Sequence, residues 1–161
     1  MGTRNLTTIK YNGETKAAQY GQWDGYPSGI GIDILETLRA SVSSKSPEGF
    51  FLRDNLKRTR FLTQEEVDHI NWRIDNEGIE IKKTYPLLHR DNAGNVLLNY
   101  LTEERHEETL LYDDSEFAEN GLFCEYHYEI DLDAGIFTVN NNHSWTFNNL
   151  PTMDEFYEAF E

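Results

Sequence analysis

The chain has 161 residues, with 29 acidic and 14 basic side chains for a formal net charge of −15, and it is 13% aromatic. One domain is the expectation at this length, with enough buried surface to need neither disulfide nor structural metal. The acid excess opposes direct binding to DNA or RNA, no apolar run approaches the roughly 18 residues of a membrane span, and the lone Cys124 with a polar, signal-free start points to a reducing compartment, the cytoplasm.

The first predicted element is a hairpin over residues 5–23, two runs of strand formers around Asn12-Gly13, the dipeptide a type I′ turn prefers. The turn-rich stretch from Asp24 to Gly29 leads to a helix over 31–42 with Ile34, Leu35, Leu38 and Val42 on one face. A weaker helical pattern spans 50–60. Thr63 and Glu66 form a capping box that opens a clearer helix, ended by Gly78. Ile79 and Ile81 have the spacing of a short strand, and Val96, Leu97, Tyr100 and Leu101 predict a helix running into the acidic stretch from Glu103.

The second hairpin, over 122–139, has the clearest pattern. Leu122, Cys124, Tyr126, Tyr128, Ile130 and Leu132 alternate with a mostly polar set, as in a strand with one face on a core. Residues 144–147 read as another strand, and Thr152 with Glu155 caps a last helix carrying Phe156 and Phe160. The expected class is α+β, an antiparallel sheet built from the two hairpins with helices on one face. Helices on both faces would bury Glu125, Glu129 and Asp131, at several kcal/mol for each unpaired charge.

No motif carries chemistry. His89-Arg90-Asp91 matches a kinase catalytic triplet, yet Val96 stands where the partner asparagine belongs and no glycine-rich loop precedes it. Two short acidic loops lack the glycine and glutamate of a calcium loop. The histidines have no ligand spacing, so no metal, cofactor or catalytic residue is assigned. His106 among four glutamates on one predicted helix face is a solvated surface before it is a weak cation site.

Two regions remain as candidate sites. Residues 1–100 hold 13 acidic and 13 basic side chains, whereas residues 101–161 hold 16 acidic side chains and only Arg105. The whole net charge therefore lies in the last third. Glu103, Glu104, Glu107, Glu108, Asp113, Asp114 and Glu116 are the candidate interface, for a basic protein surface rather than nucleic acid or membrane. The other is the corner after the first hairpin, where Arg4, Asn5, Gln22, Trp23, Asp24 and Tyr26 surround a predicted helix start that favours anions. Thr3 beside it is a nucleophile only if processing makes it the first residue, as N-terminal-nucleophile hydrolases require.

The segment Gly2-Thr3-Arg4-Asn5-Leu6-Thr7, then Ala18 to Gly29, resembles a family of small proteins from bacteria, their phages and some fungi. The segments from Leu122 to Tyr126 and Tyr128 to Asp133 resemble that family's later part. The family brings no activity and no catalytic residue. Its presence in phages implies a host-takeover or anti-defence role, such as inhibiting a nucleic-acid-binding defence complex of the CRISPR type by occupying its basic groove. Small-ligand binding or hydrolysis at the Trp23 corner is the alternative.

Overall fold

Asn12 and Gly13 both adopt left-handed backbone angles, φ 54° and 75°, as a type I′ turn demands. They join β1 (Asn5–Tyr11) to β2 (Glu14–Gly21) in the computed structural model of this chain, which describes residues 2–119 and 123–161. A register shift after Ile9 puts a bulge near the turn. The second hairpin joins β5 (Tyr126–Asp131) to β6 (Ile136–Val139), and β7 (His143–Thr146) extends it. Together they make one five-stranded sheet in the order β2-β1-β5-β6-β7.

The class is α+β as expected, but the sheet is mixed rather than antiparallel. β1 and β5 run parallel, from Asn5 opposite Tyr126 to Lys10 opposite Asp131. Hairpin chemistry sets pairing only across a tight turn, and a connection of more than 100 residues leaves the direction of the central pair to packing. The parallel arrangement brings the two hairpin turns side by side. There the Asp133 carboxylate accepts the backbone N–H groups of Asn12 and Gly13, both at 2.8 Å. Those two bonds hold the Asp133 carboxyl below its usual range.

Period two divides β1 between the faces of the sheet. Thr7 and Ile9 face the helices with Tyr128 and Ile130 beside them, and all four are buried. Over them pack α1 (Ile32–Ser41), α2 (Pro47–Lys57) and α5 (Gly94–Leu101), through Ile34, Leu38, Leu52, Leu56, Leu97 and Leu101. Each such side chain contributes roughly 1.5–3 kcal/mol on burial. α6 (Met153–Ala159) opens with the expected capping box and seats Phe156 against Phe137 and Trp145.

Several expectations are corrected. Ile79 and Ile81 form no strand; Ile81 opens a short helix, α4 (Ile81–Thr84), because the Glu80 carbonyl accepts the N–H groups of Lys83 and Thr84. The acidic stretch does not continue α5, although its end, Ser115–Glu119, forms a short 3-10 helix. α5 stops at Leu101, where the Asn55 side chain donates to the carbonyls of Leu101 and Glu103 at 2.8 and 2.7 Å. A run of carboxylates at a helix C-terminus also opposes the helix dipole. The chain instead continues to β4 (Thr109–Leu111), which pairs in parallel with β3 (Thr59–Phe61) as a separate two-stranded sheet. Leu122 lies outside the described residues, and Cys124 precedes β5, half-buried rather than on a strand's core face.

Among the described residues, the outer face of the sheet is covered at one end only. The Asp114 N–H donates to the Ala18 carbonyl, and Phe117 packs edge-on against Tyr20 with ring centres 4.9 Å apart. The acidic segment thus closes the β2 edge, which otherwise invites pairing with another chain. At the other end Glu129 and Asp131 keep partial access to water, and Glu125 before β5 is exposed, in keeping with the cost foreseen for a second helical layer. No helix among the described residues is long and apolar enough to cross a membrane.

Candidate functional site

The corner after β2 is built from two distant segments. The Gln22 N–H donates to the Arg90 carbonyl at 3.1 Å, and the Gln19 side chain donates to the carbonyls of Leu87 and Asn92. These bonds bring Asp91 to Trp23, whose indole N–H donates to the carboxylate at 2.8 Å, while Lys82 bonds its other oxygen at 3.1 Å. The Lys82 ammonium, then the Trp23 indole, hold the Asp91 carboxyl below its usual range.

A cavity of about 310 Å³ results, with Trp23, Asp24 and Tyr26 on one side and Asp91, Ala93 and Val96 on the other. Trp23 is 46% and Tyr26 53% exposed, although both are large aromatics. The other three expected residues stand elsewhere. Asn5 is fully buried beneath the corner, its amide bonded to the carbonyls of Thr3, Gly21 and Trp23. Arg4 reaches the Phe123 ring, 4.9 Å from its centre, and Gln22 accepts from the Tyr20 hydroxyl. The alternation that buries Asn5 puts these neighbours on the opposite face. Thr3 is only 5% exposed.

An anion is not the natural occupant. The helix start is a single π-helical turn, Pro27–Gly31, whose N–H groups at Gly29, Ile30 and Gly31 already bond to Tyr26 and Asp24 carbonyls. Asp24, Asp33 and Asp91 line the cavity with no basic side chain among the lining residues. Sequence reasoning missed Asp91, Ala93 and Val96. Their only signal is the His89-Arg90-Asp91 triplet, whose kinase match is a chance one.

The acidic segment is partly occupied by structural duties. Glu103 meets Arg105 at 2.8 Å and Glu108 meets Arg60 at 3.0 Å. Asp113 accepts from Ser115, and Asp114 accepts the Tyr20 N–H at 3.1 Å. Burial is the main reason that the Asp114 carboxyl titrates above its usual range, against the opposing effect of that N–H. Glu104 has only His106 at 3.6 Å, and Glu107 and Glu116 make no hydrogen bond or ion pair with the described residues.

A larger cavity, about 630 Å³, lies beside this segment and had no sequence signal. Its wall is the first half of α3 (Gln64–Glu77), a helix in which only Ile70 is buried. Leu62, Ile70, Leu87, Leu88 and Leu110 give it an apolar lining, with the rings of Tyr85 and Tyr100. Exposed Glu65, His69, Glu107 and Glu108 stand at its edge. Arg60 ties its borders together, with two bonds to Glu66 of α3 and one to Glu108. The guanidinium, helped by the Thr63 N–H, lowers the Glu66 carboxyl to about 2.

The described residues contain no cluster of three or more histidine, cysteine or carboxylate side chains fit to hold a metal ion. The Cys124 thiol is pushed up by burial, away from nucleophilic reactivity. Comparison with protein-family models, curated proteins and solved structures yields no match.

Proposed function

We propose that this chain is an acidic interaction protein whose partner presents a basic protein surface. One observation carries the reading: of the seven carboxylates from Glu103 to Glu116 singled out above, only Glu103 and Glu108 meet an arginine. Glu104, Glu107 and Glu116 remain exposed and make no ion pair with a lysine or arginine among the described residues, in a chain of net charge −15. Such a surface speeds encounter with a positive partner and rejects negative ones. A nucleic-acid-binding defence complex of the host, with its basic groove, is the partner class proposed, and the carboxylates stand in for phosphates there.

The test is co-purification of the tagged chain from a host that carries such complexes, at low and at physiological salt. The expected result is a nucleic-acid-binding protein retained at low salt and lost in a variant with Glu104, Glu107 and Glu116 changed to lysine. Retention of nothing at either salt, or equal retention by the variant, overturns the reading.

A second reading rests on a different observation, the aromatic corner cavity. Trp23 and Tyr26 expose aromatic surface beside Asp24, Asp33 and Asp91, chemistry that suits an organic cation. Thermal shift against choline, spermidine and arginine amide tests it, since a ligand at 100 times its dissociation constant adds about 2.7 kcal/mol. A shift that survives Trp23→Ala, or no shift at all, removes the corner from consideration.

A further inference from the structure

The cavity under α3 combines two properties. Its lining is apolar, through Leu62, Ile70, Leu87, Leu88 and Leu110, and its edge carries carboxylates. Exposed apolar concavities of this size fall within the range that binding sites occupy, about 300–1,000 Å³. An apolar pocket that a partner's side chain fills and desolvates is also the anatomy of an interface anchor.

The charges choose the occupant. Glu66 and Glu108 are already engaged by Arg60. Glu65 and Glu107 are exposed and make no ion pair with the described residues. Among the described residues no lysine or arginine lines the cavity, so a fatty acid or an acidic amphiphile would face unpaired Glu65 and Glu107. A ligand with apolar side chains on one side and lysine or arginine on the other satisfies both features. α3 presents Glu65, Glu66, His69 and Ile70 along one wall, so a second helix laid beside it completes a helix-in-groove contact.

We infer that this cavity seats the apolar side chains of a basic amphipathic helix of the partner protein, with Glu65 and Glu107 facing its cations. The inference rests on the basic-partner reading and names where and how that partner is gripped. Charge alone supplies encounter, and the apolar anchors supply residence.

The probe is a fluorescent leucine/lysine amphipathic peptide of about four helical turns, titrated into the full chain by anisotropy. An alanine/lysine peptide carries the same charge without anchors, and a leucine/glutamate peptide carries the anchors with the opposite charge. The leucine/lysine peptide is expected to bind at least tenfold more tightly than either. Leu88→Trp, which fills the cavity, should erase the advantage over alanine/lysine, and paired Glu65→Lys and Glu107→Lys should weaken binding about tenfold.

Circular dichroism checks that the variants fold. Should Leu88→Trp not fold, amide shift changes in the wild-type chain on adding the leucine/lysine peptide locate its seat directly, and are expected around His69, Leu88 and Leu110. Equal affinity of the leucine/lysine peptide and either control, or shifts confined to the sheet, overturns the cavity and leaves the basic-partner reading standing. Absence of binding by both basic peptides at low salt overturns the cavity as well, while co-purification decides the wider reading separately.

Discussion

The Trp23 corner and the cavity under α3 are both concave and both edged by carboxylates, yet they are built in opposite ways. The corner is closed by backbone. A Cβ on Gly25 would stand 2.6 Å from the Thr3 carbonyl oxygen, and one on Gly29 2.6 Å from that of Asp24, which itself sits at φ 56°. The larger cavity is bounded by side chains of a helix that buries one residue and is tied on by Arg60. Tight backbone packing produces a small preformed site. A lightly attached helix leaves more volume and lets its wall adjust to a partner.

The sharpest test of this contrast is a single methyl group. Gly25→Ala should cost about 3 kcal/mol, since neither Thr3 nor buried Asn5 has room to retreat. Ile70→Ala should cost about 2 kcal/mol, near the low end for such truncations, because the side chain already borders open volume. Denaturant melts measure both. A larger loss for Ile70→Ala would mean that α3 is as firmly seated as the corner.

The Arg60 clasp makes a pH-dependent prediction. The Glu66 carboxyl is lowered from 4.5 to about 2 in the folded chain, so its contribution is fully present above pH 4.5. That contribution is lost as pH falls toward 2. Arg60→Met should therefore lower the melting temperature at neutral pH, and the gap to wild type should close over that interval. Two curves that stay parallel down to about pH 2 would show that the clasp contributes nothing through Glu66.

The smallest expected effect concerns the edge closed by the acidic segment. The Asp114 carboxyl is raised by burial, so its charged form is mildly unfavourable, and its contribution falls as pH rises through the folded value. Asp114→Asn keeps an oxygen for the Tyr20 N–H and should leave the neutral-pH melting temperature unchanged or slightly higher. Asp114→Ala, which removes that acceptor, should lower it. A drop for both variants would mean that the charge itself holds the edge.

Local chemistry was legible from the residues alone. The Asn12-Gly13 turn, the capping boxes at Thr63 and Thr152, the Gly78 stop and the Tyr128 and Ile130 face of β5 each depend on neighbours within a few positions. So did half of the corner, where Trp23, Asp24 and Tyr26 share one turn. What depended on distant partners was not legible. The parallel pairing of β1 with β5, the three-residue strands β3 and β4, and the arrival of Asp91 at Trp23 join segments about 50 to 120 positions apart. Composition located the acidic charge in the last third of the chain, but Asp114 became a backbone acceptor at a sheet edge and Glu108 half of a clasp only when the tertiary structure brought Tyr20 and Arg60 to them. A carboxylate's charge belongs to its own atoms; whether that charge is free to meet a partner depends on which donors the folded chain has placed within hydrogen-bonding reach.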